Sequence, residues 1–212
     1  MVYSASVSSA PPPPFTALPT AVQWSHVILG PRLRPGDWVV DATSGNGHDT
    51  LFLAQRVLPG GRVFAFDIQA AAVEQTRKTL VAHLPHTLDT GEVTLVHAGH
   101  EHLRDLLPPE THGKFRAIMF NLGYLPGGDK SLITKVETTL SALQQALDLL
   151  AEDGVLTAVI YPGHEGGRDE ADAVERLLAA LPSDQFEAQR VGYVNFRPTT
   201  PFCLAVRRRA RG

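Results

Sequence analysis

The sequence predicts an α/β fold built on a largely parallel sheet, and three observations carry that prediction. β-Branched apolar runs alternate with stretches of helical apolar spacing along most of the chain. Polar residues end the first runs, and loops rich in glycine follow them. The last two runs, 186–194 and 201–208, are joined by Asn195-Phe196-Arg197-Pro198, as a hairpin-like antiparallel pair would be. Together they imply seven strands, mostly parallel, with helices on both faces and a C-terminal antiparallel strand.

Composition narrows the classes. With 212 residues and 43% hydrophobic content, one domain with a sizeable core is expected. A net charge of −3 provides no global basic field, so nucleic acid would need a local patch. The single cysteine, Cys203, excludes a disulfide framework and a cysteine-rich metal site, and no apolar run approaches a membrane span. The expectation is a cytoplasmic protein with no bound metal and no membrane contact.

Residues 1–18 are rich in Ser, Ala and Pro, with Pro11 to Pro14 contiguous. They have neither the charge nor the apolar core of a signal peptide and are expected to form a flexible tail ahead of one domain over 19–212. A short helix from Thr20 to Leu29 follows, with Val22, Trp24, Val27 and Ile28 as the face that covers the sheet. Trp24 and His26 are open to two readings, a lid over a ligand or ordinary packing, with packing slightly favoured.

Pro35-Gly36-Asp37 turns the chain into the first strand, which runs through Val39-Val40-Asp41 into Ala42-Thr43-Ser44-Gly45-Asn46-Gly47-His48-Asp49-Thr50 and then a helix. Such a loop brings backbone N–H groups and a helix N-terminus to a ligand. Thr50 stands where a dinucleotide fingerprint has its third glycine, which disfavours a pyrophosphate. Asp41 at the strand end suits an ammonium- or sulfonium-bearing ligand, or else caps the helix. The second strand, Arg62 to Asp67, again ends in an acid, placed where a carboxylate grips both hydroxyls of a ribose.

After the third strand, Val93 to Val96, come His97, Gly99, His100 and His102. The spacing is poor for zinc; His100 is read against an adenine edge, His97 and His102 equally well as a solvated turn. The fourth strand, Arg116 to Asn121, delivers an amide into Leu122-Gly123-Tyr124-Leu125-Pro126-Gly127-Gly128-Asp129-Lys130. Asn121 is suited to orienting a substrate amine and Tyr124 to stacking on a planar base, although a capped turn explains the same residues. A helix over 131–152, a strand from Val155 to Tyr161, a Pro162-Gly163-His164 loop and a helix to Leu181 complete the alternation. All of the singled-out groups fall at strand C-termini, the ligand edge of such a sheet.

These segments carry a resemblance. Asp41 to Thr50, Gly99-His100-Glu101, Asn121 to Lys130 and Tyr161 to His164 look like the tRNA 5-aminomethyl-2-thiouridine methyltransferase family of bacteria and plastids, long labelled as rRNA methylases. The resemblance runs from about Val22 to Val206 and implies a Rossmann-like class I methyltransferase fold with S-adenosylmethionine as cofactor and S-adenosylhomocysteine as product. It implies an N-methyltransferase that acts on tRNA at the anticodon stem-loop; an rRNA or small-molecule amine methyltransferase, or a non-catalytic nucleoside-binding module, would share the cofactor residues. A homodimer is left open. The expected cofactor set is Asp41, Thr43, Gly45, Asn46, Gly47, Asp49, Thr50, Asp67, Ile68, Gln69, Gly99, His100 and Asn121. Asn121 and Tyr124 are the expected catalytic residues, in the place of the Asn-Pro-Pro-Tyr tetrad of amine methyltransferases with Leu-Gly for Pro-Pro. Tyr124, Tyr161, His164 and Asn195 are expected on the substrate side, and Asp129, His164 or water as proton acceptor. Arg32, Arg34, Arg197 and the terminal arginines are expected to meet tRNA phosphates.

Overall fold

The chain enters the sheet from a helix, α1 (Ala21–Leu29). Thr20 caps it through a capping box with Gln23, which satisfies two otherwise orphaned N–H groups. Its buried face is Ala21, Ser25 and Leu29; of the expected Val22, Trp24, Val27 and Ile28, Ile28 packs half-buried against the core and the other three do not form the covering face. Small residues at four-residue spacing let the helix lie close to the sheet, so the larger apolar side chains sit at its flanks, with Val27 exposed. The computed structural model describes residues 17–123 and 134–210, and the expected tail lies outside them except for its last two residues.

The chain then alternates through β1 (Trp38–Asp41), α2 (His48–Val57), β2 (Arg62–Asp67), α3 (Ala70–His83), β3 (Val93–His97), the single-turn α4 (Leu103–Leu106) and β4 (Phe115–Asn121). It continues through α5 (Val136–Leu149), β5 (Leu150–Ile160), α6 (Gly167–Ala179), β6 (Phe186–Val191) and β7 (Phe202–Arg208). One seven-stranded sheet results, in the order β3-β2-β1-β4-β5-β7-β6. The strands from β3 to β5 pair in parallel, and β7 pairs antiparallel with both β5 and β6. The order reverses between β1 and β4, and there the loops leaving the two strands part and open a crevice.

Strand alternation divides the apolar residues between two cores. Val40, Phe64, Phe66, Ile118 and Phe120 face α4, α5 and α6, packing with Leu103, Leu143, Ala146 and Val174. Val39, Val63, Ala117 and Met119 face the other way, onto Leu29, Phe52, Leu53 and Leu80 of α1, α2 and α3. Both faces being covered explains why these strands are continuously apolar.

Two boundaries differ from the pattern in the sequence. The long helix ends at Leu149 and β5 begins at Leu150, five residues early. Leu150 pairs with Phe115, and a register shift follows before Val155 pairs with Ala117. In that bulge Asp153 has φ of 58°, and a Cβ on Gly154 would meet the Phe115 carbonyl at 2.7 Å. Likewise β6 stops at Val191, and 192–201 form a loop in place of the expected strand end. Among the described residues no helix is long and apolar enough to cross a membrane.

Candidate active site

The glycine loop is held by acids from two neighbouring strands. Asp67, at the end of β2, accepts the Gly45 N–H on Oδ2 and the Gln69 N–H on Oδ1, each at 2.9 Å. One lone pair on each oxygen remains for a further donor. Burial raises its pKa, and the two backbone N–H groups oppose that rise. Asp41, at the end of β1, is 1% exposed and turned beneath the loop. It accepts the Thr43 N–H at 3.1 Å and the Thr50 hydroxyl at 2.6 Å. Burial, with Asp49 and Asp67 nearby, pushes its carboxyl up to about 7.

Gly47 closes the loop at φ of 80° as N-cap of α2. A Cβ there would lie 2.8 Å from the Thr76 Cα on α3, so both the backbone conformation and the space require glycine. The Thr76 and Thr79 hydroxyls donate to the Gly45 and Asn46 carbonyls and tie the loop to α3.

Beside the loop lies a cleft of about 480 Å³ at the switch point. Thr43, Gly45, Asn46 and Asp49 form one wall, Asp67, Ile68 and Gln69 a second, and Gly99, His100 and Asn121 a third. Asp41, Gly47 and Thr50 lie under the loop and do not line it. Tyr161 also lines the cleft, whereas His164 and Asn195 are off the wall. Tyr124, Asp129 and Lys130 fall outside the described residues. His100 is buried, bonded to the Ala42 backbone and edge-on to Phe120, and burial lowers its pKa, so the ring is neutral at pH 7. His97 bonds to the Ile68 carbonyl.

The Asn121 backbone N–H donates to the Thr43 hydroxyl at 2.7 Å, fixing β4 against the loop. Its amide Nδ2 points to Asp49 Oδ2 at 3.4 Å, and its side chain bonds to the Tyr161 hydroxyl. Tyr161 titrates above its ordinary value because of burial and the Asp49 charge, so the phenol keeps its proton. The other Asp49 oxygen meets His26 Nε2 at 2.6 Å. His26 stacks on Phe52 at 3.8 Å and 8°, and the Arg56 guanidinium lies 3.8 Å from the centroid of the same ring.

The site also draws on residues outside the expected set. His26 was weighed as packing or lid, and only the docking of α1 brings it to Asp49. Ser44 lines the cleft with a buried hydroxyl that has no hydrogen-bond partner among the described residues. Glu101 and Lys135 also line it. The Ser44 hydroxyl is read most easily from the loop pattern itself, as the residue just ahead of Gly45.

Comparison with known proteins agrees with this fold. Residues 63–207 match a family model described as "Putative rRNA methylase". The chloroplastic tRNA (mnm(5)s(2)U34)-methyltransferase of Arabidopsis thaliana is 38% identical over 186 residues, 85% of this chain and 66% of that protein. The chain thus spans just under two thirds of that relative's length. A Clostridium thermocellum structure described as a "putative rRNA-methylase" superposes with a TM-score of 0.82 at 37% identity, covering 91% of this chain and 99% of that one. A methyltransferase structure from Streptococcus mutans, solved in complex with SAH, superposes at 0.77 with 31% identity and the same coverage. The fold is therefore that of the class I S-adenosylmethionine-dependent methyltransferases. The chain belongs to the family whose description reads "Putative rRNA methylase".

Proposed function

We propose that this protein is an S-adenosylmethionine-dependent N-methyltransferase that acts on tRNA. It converts 5-aminomethyl-(2-thio)uridine at the wobble position to the 5-methylaminomethyl form. The observation that carries the reading is the Asn121 amide at the end of β4, held by Asp49 and Tyr161 at the cleft wall. That is an amine-orienting arrangement, and the Arabidopsis relative is named for this product. The cytoplasm as compartment and the anticodon stem-loop as docking element belong to the same proposal.

The cleft fits the cofactor on three counts. The Ser44 hydroxyl is buried on the wall without a partner among the described residues, Asp67 keeps an acceptor site on each oxygen, and Ile68 offers an apolar flank that is 57% exposed. Asp67, Ile68 and Gln69 would hold the ribose and base, with Gly99 and His100 at the base edge. Thr43, Ser44, Gly45 and Asn46 would hold the amino-acid end. Acidic groups around the loop favour a cationic ligand. When bound, S-adenosylmethionine supplies an electrophilic methyl and its own leaving group.

The chain's residues then align and deprotonate the amine. With Nδ2 turned to Asp49, Asn121 keeps Oδ1 as acceptor for a substrate N–H, and the amine nitrogen's lone pair is left free to attack. Tyr161, protonated and bonded to Asn121, fixes that amide. An alkylammonium must lose a proton before it can attack, and burial in the cleft favours the neutral form. Asp49 is the carboxylate placed to take that proton. His26, bonded to Asp49 and 28% exposed on its side chain, connects it to solvent.

The test is transfer of labelled methyl groups to purified RNA classes. Label is expected in tRNA from cells lacking the wobble methylation. The family description favours rRNA as the second reading; label confined to ribosomal RNA would replace the tRNA assignment with that one.

A further inference from the structure

The geometry points to the loop between β6 and β7 as a docking platform for unpaired RNA nucleotides beside the cleft, an inference that rests on the RNA substrate proposed above. Ile160 pairs with Phe202, and Val191 with Cys203, so residues 192–201 emerge at the C-terminal edge of β5, where the cleft opens. The platform abuts the site directly. Tyr161 lines the cleft, and two residues on, a Cβ at Gly163 would sit 3.2 Å from the Thr199 carbonyl.

The loop exposes apolar surface in a form that suits bases. Tyr193 and Phe196 stack with centroids 4.2 Å apart at 11°. Phe196 is 55% exposed, and Val194 between them is wholly exposed. The Tyr193 hydroxyl donates to the Leu18 carbonyl at 2.7 Å, so the pair is anchored to the segment leading into α1. Fixed aromatic faces in solvent bind unstacked bases with little dependence on sequence.

Charge selects the same occupant. From Ala188 to the C-terminus there is no Asp or Glu. Among the described residues Arg197 makes no ion pair, whereas Arg190 is engaged by Glu175 at 2.6 Å. Arg211 lies outside the described residues, and the other described arginines expected to meet phosphate are placed elsewhere. Arg32 and Arg34 precede β1, at the opposite edge of the sheet, and Arg32 bonds to the Ile28 carbonyl. Arg207 and Arg209 end β7 at that opposite edge, paired with Glu187, and Arg208 bonds to the Asp148 and Leu150 carbonyls. Among the described residues Arg197 is therefore the one of these cations that accompanies the aromatic pair at the cleft edge, and it supplies the phosphate contact.

The experiment measures anisotropy of a labelled RNA hairpin with an unpaired loop, and of a fully paired duplex, against the full chain. Wild type is expected to prefer the hairpin. Phe196→Ala should weaken hairpin binding roughly tenfold by loss of one stacking face. Val194→Asp, whose side chain lies entirely in solvent and so leaves the core intact, should weaken it by phosphate repulsion. Arg197→Gln should lower the salt slope by about one. Affinity for S-adenosylmethionine, measured by calorimetry, should stay unchanged in all three. Unchanged hairpin affinity in Val194→Asp and Phe196→Ala, with wild type still methylating tRNA, overturns the platform and leaves the activity standing. A wild type that binds cofactor but neither binds nor methylates RNA overturns both. If Phe196→Ala instead dissolves a dimer and RNA affinity is retained, the face belongs to a second copy of the chain and the platform is refuted.

Discussion

Asp41→Asn should make this protein relatively more stable as pH rises. In the folded chain the Asp41 carboxyl holds its proton up to about 7, against an ordinary value of 3.8, because it is buried and faces Asp49 and Asp67. Between those two pH values the folded state keeps a proton that the unfolded chain has released. Stability is therefore fully present below the lower value, declines through the window, and levels off above the upper one. At about 1.4 kcal/mol per pH unit the loss approaches roughly 4 kcal/mol. Asparagine has no proton to lose. It still accepts from the Thr43 N–H or the Thr50 hydroxyl, but its single oxygen replaces the two of the carboxyl group, a cost of about 1 kcal/mol. Urea unfolding of both proteins between pH 4 and pH 8 reads the effect of Asp41 together with its coupling to Asp49 and Asp67, since titration of the carboxylates that do not interact with it cancels in the difference. The difference should move toward the variant by several kcal/mol across the window. A flat difference, or one that moves toward wild type, refutes the buried-carboxylate account of this residue.

Further outcomes follow from the same geometry. Gly47→Ala should destabilise the fold by about 2 kcal/mol or more, seen as a lower urea midpoint, because αL strain adds to a clash with the Thr76 backbone. Asp67→Ala should raise the cofactor Kd by at least roughly tenfold in calorimetry, since the Gly45 and Gln69 N–H groups lose their acceptor. His26→Ala should lower kcat by roughly 10²-fold and change its pH profile while leaving cofactor affinity nearly unchanged, as expected of a partner of the proposed proton acceptor, Asp49. An unaltered pH profile in His26→Ala would reduce His26 to packing.

Where function was legible in the sequence, the chemistry was local in the chain. The glycine loop and the acid ending β2 belong to adjacent strand–loop–helix units, so their spacing alone implies a nucleoside pocket. Strands buried on both faces announce themselves as apolar runs, and the antiparallel end of the sheet followed from the last two. The bulge at Asp153 and Gly154 was hidden, because a close approach to the Phe115 carbonyl leaves no periodic trace. His26 and Asp49 meet only because α1 docks through Ala21, Ser25 and Leu29, and helical periodicity pointed to a different face. Asp41 looks like a ligand residue from its place at a strand end. Its side chain turns inward because Thr43 and Thr50 offer donors there.

The most direct test of the central claim is nucleoside analysis of tRNA from cells lacking the wobble methylation, after incubation with labelled S-adenosylmethionine and either wild type or Asn121→Ala. The account predicts label in 5-methylaminomethyl-2-thiouridine with wild type, and a loss of roughly 10²-fold or more in Asn121→Ala with cofactor binding retained. Label in another nucleoside, or undiminished transfer by Asn121→Ala, would contradict it.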